Sequence, residues 1–182
     1  MDFGVSSLLD AGLRRLQQIK EVFSTLIAEI GHFALILALV LSVVQCVLPL
    51  VGAARGIGSW MALARTAAYA NALFLTISFG TLAYSFYISD FTLLNVASNS
   101  NSLLPWFYKV AATWGSHEGS ILFWALMLTW WGFLVALTSR KLPQETVARV
   151  LGVMGFITAG FVAFMLFTST PFLRLFPAAP EG

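Results

Sequence analysis

Four long apolar stretches without Asp, Glu, Lys or Arg dominate the sequence and limit the folds it can adopt. They cover residues 31–52, 66–88, 120–139 and 150–167. A helix needs roughly 20 apolar residues to cross the hydrocarbon layer of a membrane. Backbone polar groups in lipid must be paired within their own segment, so each stretch is predicted to be a helix. The predicted fold class is an all-α, polytopic integral membrane helix bundle with about four transmembrane helices.

The composition supports a membrane protein and excludes several other classes. Hydrophobic residues make up 59% of the chain and charged residues only 10%, whereas a soluble domain is about a quarter charged. A net charge of +2 is too small for the dense basic face of a nucleic-acid-binding protein, so no nucleic-acid partner is expected. Cys46, the single cysteine, excludes an intramolecular disulfide and a Cys-based metal cluster. The only histidines are His32 and His117, which leaves few members for a His-ligated site.

The residues before Gly31 are predicted to form an amphipathic helix. Apolar side chains recur there at the helical spacings of three, four and seven residues, with charged and amide side chains between them. Such a helix could lie on the membrane surface or pack on a partner. The charge order does not fit a cleavable signal peptide. The apolar positions are Leu9, Leu13, Leu16, Phe23, Leu26, Ile27 and Ile30.

The distribution of basic residues predicts an orientation, because positively charged short loops tend to stay in the cytoplasm. The first and third connections carry Arg55, Arg65, Arg140, Lys141 and Arg149. The second connection, residues 89–119, and the C-terminal tail carry only Lys109 and Arg174. That connection and the tail are therefore predicted to lie outside the cytoplasm. The N-terminal segment disagrees with the rule, since it would place Arg14, Arg15 and Lys20 outside as well.

The unusual motif of the chain is the run from Trp114 to Ser120, Trp-Gly-Ser-His-Glu-Gly-Ser, at the entry to the third apolar stretch. One interpretation is a capped turn at the membrane boundary, in which Ser116 or Ser120 caps the following helix and Glu118 suits its dipole. The other is a functional pair, His117 and Glu118, beside a flat aromatic surface. Histidine can ligate heme iron, and glycine permits close approach of the backbone to a ligand.

Aromatic residues in the third stretch also allow two interpretations. Trp124 and Trp131 lie seven residues apart with Met127 between them, and Phe123 and Trp130 form a second such pair. Lipid contact or helix packing is the favoured interpretation, because aromatic side chains commonly serve as packing bulk. A porphyrin-facing surface is the alternative. The ionisable residues His32 and Asp90 fall at the ends of spans and are interpreted as solvated boundary anchors.

Several motifs together resemble the N-terminal portion of the CcmF family, of which NrfE is a close relative. They occur in the family's order, and the resemblance covers about Glu29 to Gly182 without an evident gap. A set of ordered motifs is much more specific than any single one. The matching segments are residues 29–35, 51–56, 90–92, 96–101, 109–120, 147–151 and 167–172.

The resemblance implies a cytochrome c-type biogenesis protein of the bacterial inner membrane. Such a heme lyase subunit takes heme from a heme chaperone and joins the heme vinyl groups to the CxxCH cysteines of apocytochrome c. Heme is then the handled cofactor, and other cytochrome c maturation proteins and apocytochrome c are the partners. No catalytic residue is assigned, and His117 is the only candidate ligand for heme iron. The heme- or apocytochrome-facing candidates are Trp114, Gly115, His117, Glu118, Gly119, Ser120, Asn99, Ser100 and Asn101.

The chain departs from the resembled family in length. Family members are much longer, and their tryptophan-rich heme-handling segment lies beyond the position of Gly182. The chain is therefore expected to be a fragment, a truncated product or one piece of a split lyase that needs the missing remainder as a partner, and not to bind heme tightly alone. Residues 1–28 are interpreted as an amphipathic extension, either a true one or the result of a misassigned start, and residues 29–182 as the transmembrane portion. The alternative function is a non-catalytic structural or interaction subunit of the maturation complex.

Overall fold

The computed structural model describes the backbone of residues 3–177 and 179, and in this part of the chain every regular element is a helix. Four long helices pack together as a bundle. Two short helices lie in the connection between the second and third long helices. A 3-10 turn, Ser139–Lys141, follows the third. The helices are α1 Phe3–Arg55, α2 Gly58–Tyr87, α3 Leu94–Asn99, α4 Trp106–Gly115, α5 His117–Thr138 and α6 Gln144–Phe167.

The four predicted spans are confirmed, but the helices extend beyond the predicted limits. The segments long and apolar enough to cross a membrane are Val22–Arg55, Gly58–Tyr87, His117–Lys141 and Gln144–Phe167. The predictions stopped at charged residues, whereas long basic side chains can remain inside a helix and extend their charge to the boundary. Arg65, expected to close a loop, lies in α2, and Arg149 lies in α6. The connection between α1 and α2 is a tight turn at Gly56, whose φ is +69°.

The N-terminal segment is helical as predicted, but it is not a separate element. Helix α1 runs without a break through 53 residues, a length of about 80 Å at 1.5 Å per residue. Helical periodicity continues across Gly31, so no stop signal separates the amphipathic segment from the first span. Of the apolar positions predicted there, Phe23, Leu26 and Ile30 are exposed, and the side chains of Leu9, Leu13 and Leu16 lie outside the described residues.

The bundle core forms where α2 and α6 meet between the other two long helices. Helix α1 packs on α2 and α6, and α5 packs on the same two helices. Large buried side chains fill the half towards the start of α5, including Leu35, Leu82, Phe86, Leu122 and Met165. The other half is lined mainly by alanines and Leu151, so the helices approach closely there.

Two glycines of α6 bring it against α1. A Cβ at Gly152 would meet Leu50 Cγ at 2.7 Å, and one at Gly155 would meet the backbone nitrogen of Cys46 at 3.0 Å. Membrane helices commonly use small residues in this way, because packing between backbones replaces the hydrophobic driving force that lipid removes. These positions fix the distance between α1 and α6.

A buried polar network links α1, α2 and α6 within the spans. The amide nitrogen of Asn71 donates to Gln45 Oε1 over 2.7 Å, and Gln45 Nε2 donates to the backbone oxygen of Leu151 over 2.8 Å. The hydroxyl of Ser42 donates to the backbone oxygen of Ala38 over 2.6 Å. Unpaired polar groups in lipid are costly, so this network holds the three helices in one register. The sequence analysis did not identify it, although Gln45 and Asn71 interrupt otherwise apolar stretches.

Candidate functional site

The connection between α2 and α5 and the C-terminal segment form one compact cap on the bundle. The backbone nitrogen of Leu94 donates to the oxygen of Leu173, and that of Leu175 donates to Thr92, each over 2.8 Å. Lys109 of α4 reaches back to Ser89, where Nζ donates to Oγ over 2.7 Å. The connection is therefore tied both to the end of α2 and to the C-terminal segment that follows α6.

Asp90 is the first charged residue of the cap, and the prediction that it is a solvated boundary anchor is wrong. The residue is buried, and its Oδ1 atom accepts hydrogen bonds from the hydroxyl of Thr92 at 2.6 Å and from the backbone nitrogen of Thr92 at 3.3 Å. Asp side chains commonly stabilise turns by such local bonds two residues ahead. Asp90 thus forms the turn through which the chain leaves α2.

The Trp114–Ser120 motif forms the corner between α4 and α5, and only Ser116 separates the two helices. Ser116 is almost fully buried, and its Oγ accepts the backbone N–H of Gly119 over 3.1 Å. Ser116 is thus the N-cap of α5, as one of the two predicted capping residues. Ser120 is not the cap; its hydroxyl donates to the backbone oxygens of Trp114 and Ser116 at 2.7 and 2.8 Å.

The two glycines of the motif have different surroundings. A Cβ built on Gly119 would lie 1.6 Å from the backbone oxygen of Thr113, whereas a Cβ on Gly115 has no neighbour within 4 Å. Gly119 therefore allows α5 to approach the end of α4, and no other residue fits there. Gly115 leaves open space at the surface next to Trp114.

His117 and Glu118 share one neighbour, Ser169, which follows α6. His117 Nδ1 lies 3.3 Å from Ser169 Oγ, and that hydroxyl lies 3.4 Å from Glu118 Oε1. The histidine side chain is exposed. The side chains of the predicted pair are therefore linked through Ser169. The sequence analysis included Ser169 only as part of the matching segment 167–172. A hydroxyl between an imidazole and a carboxylate can orient the ring and select its tautomer.

Aromatic rings flank this group. Trp114 is 47% exposed, and its ring centroid lies 6.3 Å from that of Phe123 with an interplanar angle of 36°. Trp124, Met127 and Trp131 are also exposed on α5, which places this predicted stripe on the outer surface of the bundle. Trp130 Nε1 donates to Thr76 Oγ1 over 3.2 Å, so its polar edge is paired with α2.

The Asn99–Asn101 run stabilises the turn after α3. Asn99 Nδ2 donates to the backbone oxygen and to Oδ1 of Asn95, at 2.9 and 3.1 Å. Asn101 Oδ1 accepts the backbone N–H of Leu103 over 2.8 Å. Ser100 is buried. These contacts give the run a local structural role, and its predicted role towards heme or apocytochrome stays a prediction.

A second group at the same end of the bundle was missed by the sequence analysis. Arg174 lies 3.3 Å from Glu29, and its guanidinium also donates to the backbone oxygen of Thr25 over 2.9 Å. Beside it, a cavity of about 380 Å³ is lined by His32 and Phe172, among others. His32 is half-buried and meets Phe172 edge-on at 6.3 Å, so it is not a fully solvated anchor. The sequence analysis used Arg174 only to predict orientation, and no local motif indicated its pairing with α1.

Within the described residues, no group of three or more His, Cys, Asp or Glu side chains is arranged to hold a metal ion. His117 thus remains a single candidate ligand with a hydroxyl partner. The arrangement is suited to presenting a flat ligand at the surface, since the histidine and the tryptophan are both exposed.

Comparison with known proteins identifies relatives of the chain. The cytochrome c-type biogenesis protein CcmF of Pseudomonas aeruginosa is 55% identical over 155 residues, which are 85% of this chain and 24% of that protein. CcmF of Escherichia coli is 47% identical over the same shares of the two chains. NrfE of Haemophilus influenzae is 43% identical over 157 residues, 86% of this chain and 25% of that protein.

Comparison of the fold with solved structures identifies the same family. A solved structure described as "Cytochrome c Heme Lyase CcmF" superimposes with a TM-score of 0.76 at 28% identity, over 80% of this chain and 24% of that chain. No protein-family model matches the chain. The chain thus spans about a quarter of the length of the relatives it matches. By sequence over 85% of its length and by its helical fold, the chain belongs to the CcmF/NrfE family.

Proposed function

We propose that this chain forms part of a heme lyase in cytochrome c maturation. The observation that carries the proposal is the 55% identity to a cytochrome c-type biogenesis protein across 85% of the chain. In this role heme is a substrate, received from a heme chaperone and joined to the CxxCH cysteines of apocytochrome c. Each attachment adds a cysteine S–H across a heme vinyl group and gives a thioether.

The proposal places the cap on the outer face of the bacterial inner membrane. The opposite end of the bundle carries Arg55, Arg65, Arg140, Lys141 and Arg149, and the cap carries Lys109 and Arg174. Under the positive-inside rule the end whose short loops carry more basic residues faces the cytoplasm, and only Arg14, Arg15 and Lys20 before the first span count against this orientation. The connection of residues 89–119 and the C-terminal segment then face the periplasm, where apocytochrome c is expected to meet heme.

In this proposal the cap presents one edge of a heme to apocytochrome c. Ser169 holds Nδ1 of His117, so Nε2 is the ring nitrogen available to heme iron. The exposed ring of Trp114 offers a flat surface for the porphyrin. The space beside Gly115 is open to a ligand, because a Cβ built on this residue has no neighbour within 4 Å. Glu118 shares Ser169 with His117 and so helps to set the orientation of the imidazole.

We expect His117→Ala to lower the yield of holocytochrome c by roughly tenfold or more, the range seen when a group that orients or ligates a metal is lost. The variant is expressed together with the remaining family segment, in cells without another copy of the lyase. Covalent heme on cytochrome c is measured by peroxidase staining of denaturing gels, at membrane levels of the chain matched by immunoblot.

Thr146→Ala is the matched control, because Thr146 is exposed at the opposite end of the bundle. The control is expected to retain the yield of the unmodified chain. A full yield from the His117 variant would remove this histidine from the proposed site. Normal maturation in cells without the chain would contradict the proposed function itself.

A second candidate function is a non-catalytic subunit that docks other assembly proteins. The observation that favours it is that polar groups of the motif bond to neighbouring protein groups: Ser116 caps α5, and Ser169 contacts both His117 and Glu118. On this alternative the exposed rings of Trp106, Phe107 and Tyr108 contact proteins. Aromatic residues are enriched at protein interfaces.

Purified chain distinguishes the two candidates by its absorption spectrum. We expect no heme Soret band after purification of the chain alone, because His32 is packed against Phe172 and His117 lacks a second histidine ligand beside it. Addition of heme to the purified chain is the second measurement. A Soret shift that disappears in His117→Ala would support heme presentation, whereas the same spectrum for both proteins would favour docking.

A further inference from the structure

A cavity of about 310 Å³ opens at the end of the bundle opposite the cap. It lies between the first turns of α2, the 3-10 turn after α5 and the start of α6. This volume falls at the lower end of the range for small-molecule sites, about 300–1,000 Å³. Its polar lining is Arg65, Arg140 and Gln144, and its apolar lining includes Met61, Leu142 and Val147.

The two arginines of this cavity have no carboxylate partner in the described part of the chain. The ion pair formed at this end of the bundle joins Arg149 to Glu145 and leaves Arg65 and Arg140 out. Arg65 is half-buried, and its Nη2 donates to the backbone oxygen of Ser139 over 3.0 Å. That bond holds one edge of the guanidinium and leaves its other N–H groups for a ligand. Arg140 is exposed.

The wall of the cavity is held together from three elements. Gln144 at the start of α6 donates its side-chain N–H to the backbone oxygen of Gly58, over 3.0 Å, at the start of α2. Arg65 in turn joins α2 to Ser139. The basic side chains therefore converge on a cavity whose shape is set by hydrogen bonds, and they do not simply extend from a loop.

We infer that this cavity binds the phosphate of an anionic phospholipid headgroup. Guanidinium groups recognise phosphate with two parallel N–H bonds. The cavity lies where the apolar spans end, which is the level of the lipid headgroups, and basic pockets between membrane helices are suited to anionic lipids. The apolar lining, Met61, Leu142 and Val147, can contact the start of a lipid acyl chain. Free phosphate has no apolar part that could make this contact.

The test uses the purified chain, released from detergent micelles and observed by native mass spectrometry with phosphatidylglycerol or phosphatidylcholine added. We expect phosphatidylglycerol to be retained and Arg140→Gln to weaken its apparent affinity about fivefold or more, the change that corresponds to roughly 1 kcal/mol for one basic residue at an anionic surface. Arg140 is exposed, so this variant keeps the fold. Arg65→Gln is expected to lose at least as much.

The matched control is Arg55→Gln, since Arg55 lies at the same end of the bundle but does not line the cavity. We expect it to change the apparent affinity less than about twofold. An equal loss in Arg55→Gln and Arg140→Gln would overturn the site in favour of general charge attraction. Equal retention of phosphatidylcholine, or displacement of phosphatidylglycerol by millimolar inorganic phosphate, would overturn the anionic lipid as the ligand.

Discussion

We expect Gly119→Ala to destabilise the folded chain by about 3 kcal/mol, the upper end of the usual cost of overpacking. The added Cβ would lie 1.6 Å from the backbone oxygen of Thr113 and 2.6 Å from Ser116 Oγ. A backbone oxygen at a helix end cannot rotate away as a side chain can, so α4 and α5 must separate. The separation would also lengthen the capping hydrogen bond from Gly119 to Ser116. The measurement is the thermal unfolding of the purified chain in detergent.

Gly115→Ala is the control for this prediction. It lies in the same motif, but a Cβ there has no neighbour within 4 Å and its φ is not positive. Alanine restricts the unfolded chain more than glycine does, so we expect a gain of roughly 0.4–1 kcal/mol or no change. Equal unfolding temperatures for the two variants would contradict the close contact between α4 and α5.

We expect Gly155→Leu to separate α6 from α1 and to lower stability by about 3 kcal/mol or more. The Cβ alone would lie 3.0 Å from the backbone nitrogen of Cys46 and from Gln45 Cβ, and the remaining leucine atoms have no space in that direction. Displacement of α6 would also break the 2.8 Å hydrogen bond from Gln45 to the oxygen of Leu151. A buried amide would then lose its partner within the spans, which adds to the cost.

Gly160→Leu tests the same substitution elsewhere on α6. Gly160 is exposed, and a Cβ there has no neighbour within 4 Å, so we expect an unfolding temperature close to that of the unmodified chain. Both variants are compared by monodisperse yield after extraction and by thermal unfolding. A Gly155 variant as stable as the Gly160 variant would show that α1 and α6 are not in close contact.

The number of spans followed from hydropathy alone, but the helix limits did not. The charged residues at which the predicted spans stopped, such as Arg65 and Arg149, lie inside α2 and α6 because their side chains reach the ends of the bundle. Helix α1 passes Gly31 without a break, since a glycine tightly packed against Thr81 and Phe172 does not end a helix. The spacing of apolar residues identifies such a helix, but it does not show which part of the helix packs in the bundle and which part extends beyond it.

The site was predicted in part. The motif itself placed Ser116, His117 and Glu118 at a helix start, and Ser116 forms the N-cap of α5. The participation of Ser169 could not be predicted, because α5 and α6 separate it from His117 in sequence. Gly119 could be distinguished from Gly115 only when the position of the Thr113 oxygen was known. Contacts of this kind depend on how the helices pack and not on local spacing.

The backbone pairing of residues 92–94 with residues 173–175 has a consequence for the order of assembly. The ribosome releases the N-terminal part of a chain first, and α1 and α2 are joined by a short turn, so their contact can form early at a small entropic cost. Leu94 and Thr92 find their partners, Leu173 and Leu175, only after α5 and α6 have been made. His117 likewise meets Ser169 only then. The cap can therefore close only after all four long helices have been made.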